Sequence, residues 1–248
     1  MTPWRATLRA LRRAPRRTLR VLVARLRGRV SIAWHRALGY RVQAGPGLEL
    51  YGRLRVRGEG EVILGCGVAL HGRVAPVTHG RDARIVIGDH TLLDGVRLGC
   101  RQEIRIGHHC LIAEARIYDT DLHSARMDRR RNADAPVRVL PVQIGDNVWV
   151  GLGAGILPGT AIGRNSVVGF GAVCVREYPP DSVIMGNPAR VVSPIPPGGD
   201  DVSPPLPEGA GDAPVLWLVG GVRDWMARLP GGRHRLLRPA GLGEPGAS

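Results

Sequence analysis

The chain contains no lysine: all 35 of its basic residues are arginine. We read this as a bias of composition rather than a sign of mechanism. Aromatic residues make up only 4% of the chain, with a single Phe, so there is no platform on which nucleic-acid bases could stack. The four cysteines, Cys66, Cys100, Cys110 and Cys174, lack CxxC spacing. They suit a reducing cytoplasm better than a disulfide framework, and they offer no cysteine cluster for a metal. No run of 18 apolar residues occurs, so no membrane-spanning helix is expected. Arginines also interrupt any apolar core of an N-terminal signal.

Acidic residues are missing from one end. Residues 1–41 hold 12 arginines and no acid, and Glu49 is the first carboxylate. The rest of the chain carries 23 arginines against 21 acids, so the formal charge of +14 belongs almost wholly to the first segment. Trp4, Leu8, Leu11, Leu19, Leu22 and Leu26 recur there at helical spacing, and Pro15 is placed to open a second helix. A basic amphipathic segment of this kind suits an interfacial membrane anchor or a helix packed on its own protein. The near-neutral remainder argues against a nucleic-acid partner.

What the chain does have is a period of six. Residues 144–173 read IGDNVW, VGLGAG, ILPGTA, IGRNSV, VGFGAV. The first place is Ile144, Val150, Ile156, Ile162 or Val168. The fifth is small or short: Val148, Ala154, Thr160, Ser166, Ala172. The fourth is only Asn or Gly, the residues that tolerate positive φ, so it marks a recurring corner. A fixed short period signals a solenoid, in which places five and one point inward and place six outward. The outward set, Trp149, Gly155, Ala161, Val167 and Val173, carries no charge, which predicts faces covered by something. Three hexapeptides close one triangular coil, so Ile144 stacks on Ile162 and Val150 on Val168.

Weaker copies lie upstream at Leu64, Ile87 and Ile106. Leu64 to Ile87 reads as one coil plus five residues, with a protruding loop near Thr78 to Asp82. Ile87 to Ile106 reads as one coil plus one. Ile106 to Ile144 reads as two coils plus two, with an irregular excursion near Ser124 to Pro141. His90 and His109 fall at corner places.

These residues resemble the hexapeptide-repeat acyltransferase superfamily, most closely its maltose, galactoside and polysaccharide O-acetyltransferases. The resemblance covers about Arg84 to Val192. It rests on IYDTDLHS (Ile117 to Ser124), PVQIGDNVWVGLGAGILPGTAIG (Pro141 to Gly163) and PPDSVIMGNPARVV (Pro179 to Val192). It implies a mainly β fold, a left-handed parallel β-helix, assembled as a homotrimer. It also implies acetyl-CoA as co-substrate, no metal, and a sugar or glycan acceptor.

By that resemblance His123 is the general base for direct attack of an acceptor hydroxyl on the thioester, without an acyl-enzyme. An imidazole titrating near neutrality suits this work. Asp119 and Asp121 flank it as possible orienting groups. The matching positions for coenzyme A are Trp149, Leu152, Phe170 and Val175, with Arg176 and Arg190 near the phosphates. Phe170 is larger than the usual Ala, and Arg176 stands where Lys is common. On the acceptor side Glu103 is the nearest acid. The excursion's Arg126, Arg129, Arg130, Arg131 and Arg138 suit either an anionic ligand or a solvated loop.

The expected organisation is a basic helical segment over 1–44, the acyltransferase β-helix over 45–193, a Pro/Gly-rich linker over 194–214, and a short C-terminal helix and tail over 215–248. The location expected is cytoplasmic, with possible peripheral membrane contact through residues 1–41. Three other functions compete: N-acetylation of an amino sugar or serine, an inactive β-helix scaffold, and zinc hydration on His90, His108, His109 and His123. The spacing of those histidines differs from that of the zinc enzymes, and the intact GNPAR ending argues against loss of activity.

Overall fold

A computed structural model describes residues 15–132 and 134–195. The expected linker beyond residue 195 and the expected C-terminal helix lie outside the described residues.

Three sheets of seven, eight and six strands, parallel except for the last strand of the eight, form the faces of a β-helix of about seven coils. Each coil adds one short strand to each sheet. The period-two reading holds through all five hexapeptides: Ile144, Val150, Ile156, Ile162 and Val168 are buried, as are Val148, Ala154, Thr160, Ser166 and Ala172. Ile144 pairs with Ile162 and Val150 with Val168, so equivalent residues stack and the interior is a column of aliphatic side chains. Burial of such columns between neighbouring coils is the main stabilising term in a solenoid.

The corners follow the chemistry of positive φ. Asn147, Gly153, Gly159, Asn165 and Gly171 have φ between 54° and 80°. Upstream, His90 and His109 both adopt φ 55° at equivalent corners. Their rings stack with centroids 5.2 Å apart. Further along the same edge Asn147 donates to Asn165 at 3.1 Å, and Asn165 donates to Asp181 at 2.8 Å.

Strand pairing corrects one piece of coil arithmetic. Leu64 pairs with Ile87, and Ile87 with Ile106, as spaced. Ile106, however, pairs directly with Ile144. The step of 38 from one to the other is a single coil of 18 with an insertion of 20, not two coils. A twenty-residue insertion is close to one coil in length, so counting alone cannot tell the two apart.

Among the described residues, helix Pro15–Ala37 stands before the solenoid. It rests on strands Arg41–Ala44 and Glu49–Leu50. The contact is made by a narrow stripe: Ala24, Gly28, Ile32 and His35 are buried. A Cβ at Gly28 would lie 2.7 Å from the Leu48 carbonyl oxygen, so only glycine permits this approach. His35 Nδ1 donates to the Ser31 carbonyl at 2.7 Å, which leaves Nε2 to accept from the Val56 amide at 3.4 Å. The solenoid begins at Arg41, ahead of the boundary expected at 45, because Arg41-Val42-Gln43-Ala44 already alternates and buries Val42.

At the other end, strand Ser182–Gly186 turns through Asn187-Pro188, a cis peptide, into antiparallel strand Ala189–Pro194.

Candidate active site

The insertion leaves the solenoid after strand Arg116–Tyr118, and its root is built by Asp119. This carboxylate is fully buried. Oδ1 accepts the Arg101 amide and Oδ2 the Gln102 amide, both at 2.7 Å. The Cys100 thiol donates to Oδ2 at 3.3 Å. Burial, and then the adjacent carboxylate, push that thiol's pKa up, so it stays protonated as a donor. Asp119 therefore ties the root to the turn of the preceding coil. Its oxygens serve Cys100 to Gln102 rather than an imidazole.

The two ends of the insertion lie side by side. Thr120 bridges Val139 in antiparallel fashion, and the Leu140 amide donates to the Asp119 carbonyl at 2.9 Å. Arg138 grips Asp121 with two hydrogen bonds of 3.1 and 3.3 Å, so Asp121 closes the loop instead of orienting His123. Leu140 in turn covers Gly159 of the next coil, where a Cβ would approach its Cδ1 to 3.0 Å.

His123 follows a tight turn. Leu122 adopts φ 61°, uncommon for a branched residue, and the His123 amide donates to the Asp121 carbonyl at 2.7 Å. The imidazole is exposed and makes no hydrogen bond among the described residues. Of the loop arginines, Arg126 pairs with Asp128 at 3.0 Å and Arg129 donates to the Arg126 carbonyl at 2.7 Å. Arg130 and Arg131 are exposed. Glu103 pairs with Arg105 at 2.8 Å.

The residues expected to hold coenzyme A are spread over the last coils. Trp149 is half-buried on a sheet face between Leu111 and Val167. Leu152 and Phe170 occupy equivalent places at one corner, joined through the Gly171 amide donating to the Leu152 carbonyl at 3.0 Å. Phe170 is 77% exposed, and Met185 beside Gly169 is also exposed. Val175 and Arg176 lie two coils beyond the insertion, on the same edge from which it emerges. Arg190 is exposed on strand Ala189–Pro194.

Tyr178 joins the last three and was not singled out from the sequence. It is 4% exposed, in an inward place above Ile162. Its hydroxyl accepts the Val175 amide and donates to the Ala189 carbonyl, both at 3.3 Å. A tyrosine where the repeat demands an aliphatic residue was the available signal. It holds the Val175–Arg176 corner and the start of the Arg190 strand together.

Two clefts, of about 560 and 340 Å³, open at the N-terminal end, and no predicted site residue lines either. Among the described residues no three His, Cys, Asp or Glu side chains converge as a metal site would require.

Residues 141–176 match the family model described as bacterial transferase hexapeptide (six repeats). A putative acetyltransferase of Saccharomyces cerevisiae is 44% identical over 69 residues, 28% of this chain and 35% of the relative. The galactoside O-acetyltransferase of Escherichia coli is 36% identical over 92 residues, 37% of this chain and 44% of that enzyme. The matches thus span less than half the length of these relatives. In fold, the chain is similar to a polySia-specific acetyltransferase, with a TM-score of 0.52 and 20% identity over 68% of this chain and 88% of that one. The chain is thus a β-helix built on hexapeptide repeats and is similar, over part of its length, to acetyltransferases.

Proposed function

We propose that the protein is an acetyl-CoA-dependent O-acetyltransferase acting on a hydroxyl of a sugar or polysaccharide precursor, with His123 as general base. The observation that carries this is the placement of His123. An unencumbered imidazole stands at the root of a loop, presented by the turn at Leu122 and rooted in the solenoid by Asp119. The strand from which its loop emerges, Arg116–Tyr118, lies in the same sheet as Val173–Cys174, the strand that leads into Val175 and Arg176.

In this reading the acceptor hydroxyl gives its proton to the His123 imidazole as its oxygen attacks the thioester carbon. The tetrahedral intermediate then collapses, the C–S bond breaks, and the imidazolium returns the proton to the departing thiolate. The products are an acetyl ester and coenzyme A. Val175 and the half-buried Trp149 border the pantetheine arm, with half-buried Leu152 and exposed Phe170 beside it. Arg176 and Arg190, aligned through Tyr178, face the phosphates, where guanidinium groups bind by charge-assisted hydrogen bonds. The uncharged outer faces and the exposed Phe170, Met185 and Val175 support a homotrimer, with the donor groove completed by a neighbouring subunit.

The test is acetyl-CoA turnover by the full chain against a panel of nucleotide sugars, lipid-linked sugars and polysaccharides. His123→Ala should lower kcat by about 10²–10⁴-fold, the usual contribution of a general base, while the melting temperature holds. Retention of most of the turnover would remove His123 from the mechanism.

A further inference from the structure

The helix Pro15–Ala37 is divided lengthwise into three sectors. At 3.6 residues per turn, Ala24, Gly28, Ile32 and His35 form the sector buried against the solenoid. Opposite them lie Leu19, Leu22, Val23, Leu26, Val30 and Trp34, which are 39–63% exposed. Arginines separate the two sectors on both sides: Arg25, Arg29 and Arg36 along one border, Arg20 and Arg27 along the other. Six large apolar side chains thus face away from the protein, while of the large apolar ones only Ile32 is buried against it. Leu19, Leu22 and Leu26 of the expected stripe do share one face, but it does not dock the helix on its own solenoid; Trp4, Leu8 and Leu11 lie outside the described residues.

Charge decides what covers this face. The helix contains no acid. A cleft of about 340 Å³ beside the outward sector is lined by Arg16, Arg20, Arg27 and Tyr51, with Leu19 and Val23 at its apolar side. Arg20 sits over the Tyr51 ring. Glu49, the nearby acid, is already taken by Arg25 and the Tyr51 hydroxyl. Among the described residues no carboxylate lies within ion-pair distance of Arg16, Arg20 or Arg27. Residues 1–14 add four more arginines, Trp4, Leu8 and Leu11, again without an acid. A second copy of the helix laid on this face would set arginine against arginine. A bilayer of anionic phospholipid satisfies both sectors, taking the apolar side chains among its acyl chains and the guanidinium groups against its phosphates.

We infer that the outward face of helix Pro15–Ala37 docks the protein peripherally on an anionic membrane surface, with the Arg16–Arg20–Arg27 cleft seating phospholipid headgroups. This docking does not depend on the acetyl-transfer chemistry.

Vesicle co-sedimentation of the full chain tests it, using phosphatidylcholine alone and phosphatidylcholine with about 30 mol% phosphatidylglycerol. Binding to the anionic vesicles should exceed that to the neutral ones by at least about tenfold and fall as salt shortens the screening length. Leu26→Glu/Trp34→Glu should abolish it, and Arg16→Gln/Arg20→Gln should weaken it several-fold. All four positions are exposed, so circular-dichroism melts of both variants should match the parent. Equal, weak retention of the parent on both vesicles would overturn the inference, as would undiminished binding of Leu26→Glu/Trp34→Glu. A loss of subunits in that variant by analytical ultracentrifugation without lipid would also overturn it, by showing a second copy on this face.

Discussion

Individual residues in this protein work mainly by occupying backbone hydrogen-bonding groups at places where the repeat is broken. Asp119 is the clearest case, since one buried carboxylate accepts two amides of the neighbouring coil and the thiol of Cys100. Asp119→Asn keeps the shape but turns an amide group toward one of those N–H donors. It should lower unfolding free energy by about 1–3 kcal/mol, the cost of one stranded buried donor. Asp119→Ala should lower it further, and turnover should fall in both as the root of the His123 loop loosens. Urea denaturation checks this, and an unchanged midpoint for Asp119→Asn would contradict it. Little of this role was visible beforehand. The sequence places Asp119 and Asp121 next to His123, and proximity in the chain suggests orientation of the ring. The partners that in fact claim them, Arg101, Gln102 and Arg138, are 17 or 18 residues distant.

Among the structural elements, the corners carry the most readable signal. Gly or Asn every sixth residue reported positive φ correctly at Asn147, Gly153, Gly159, Asn165 and Gly171, and His90 and His109 followed suit. That pattern is local, so it survives without knowledge of the fold. Asn165 does two things at once: it adopts φ 58° and links Asn147 to Asp181. Two substitutions separate them. Asn165→Gly keeps the backbone and loses the side-chain bonds, and should cost about 1 kcal/mol per bond at most. Asn165→Ala also imposes the left-handed penalty of about 1–2 kcal/mol. Thermal melts should therefore rank parent, Gly variant, Ala variant. Equal melting of the two variants would mean that the dihedral angle is of no consequence there. The helix was legible as an element, but its orientation was not. Which stripe packs inward is decided by the backbone of Leu48 meeting Gly28, a contact that no helical period reports.

For the molecule as a whole, the solenoid has two ends and each is closed differently. Helix Pro15–Ala37 rests on the first coil, and strand Ala189–Pro194 runs antiparallel along Ser182–Gly186 at the last. An uncovered parallel edge invites pairing with another chain. A chain ended after Gly186 should therefore aggregate, whereas one ended after Ile195 should elute as a single species on size exclusion. Identical elution of the two would show that the final strand protects nothing. The periodic middle of the molecule was legible because every coil repeats one rule. The count of coils was not, because the insertion of 20 residues imitates one, and only the pairing of Ile106 with Ile144 separates the possibilities. The coil positions of Trp149, Leu152 and Phe170 follow the repeat and could be read in advance. Tyr178 breaks the rule of aliphatic inward places, and that exception was its one mark in the sequence.

The insertion also has a consequence for how such a protein can change. Its two ends are already held together by the Thr120–Val139 bridge and the Asp121–Arg138 pair, while Asp119 and Leu140 secure them to the coils on either side. Between these fixed points the loop can be lengthened, shortened or replaced, because closure entropy rises only slowly with length. Coil stacking would not register the exchange. The stretch between Asp121 and Arg138 is thus a cassette, open to transplantation between solenoids that share this root, while the coil frame is inherited intact.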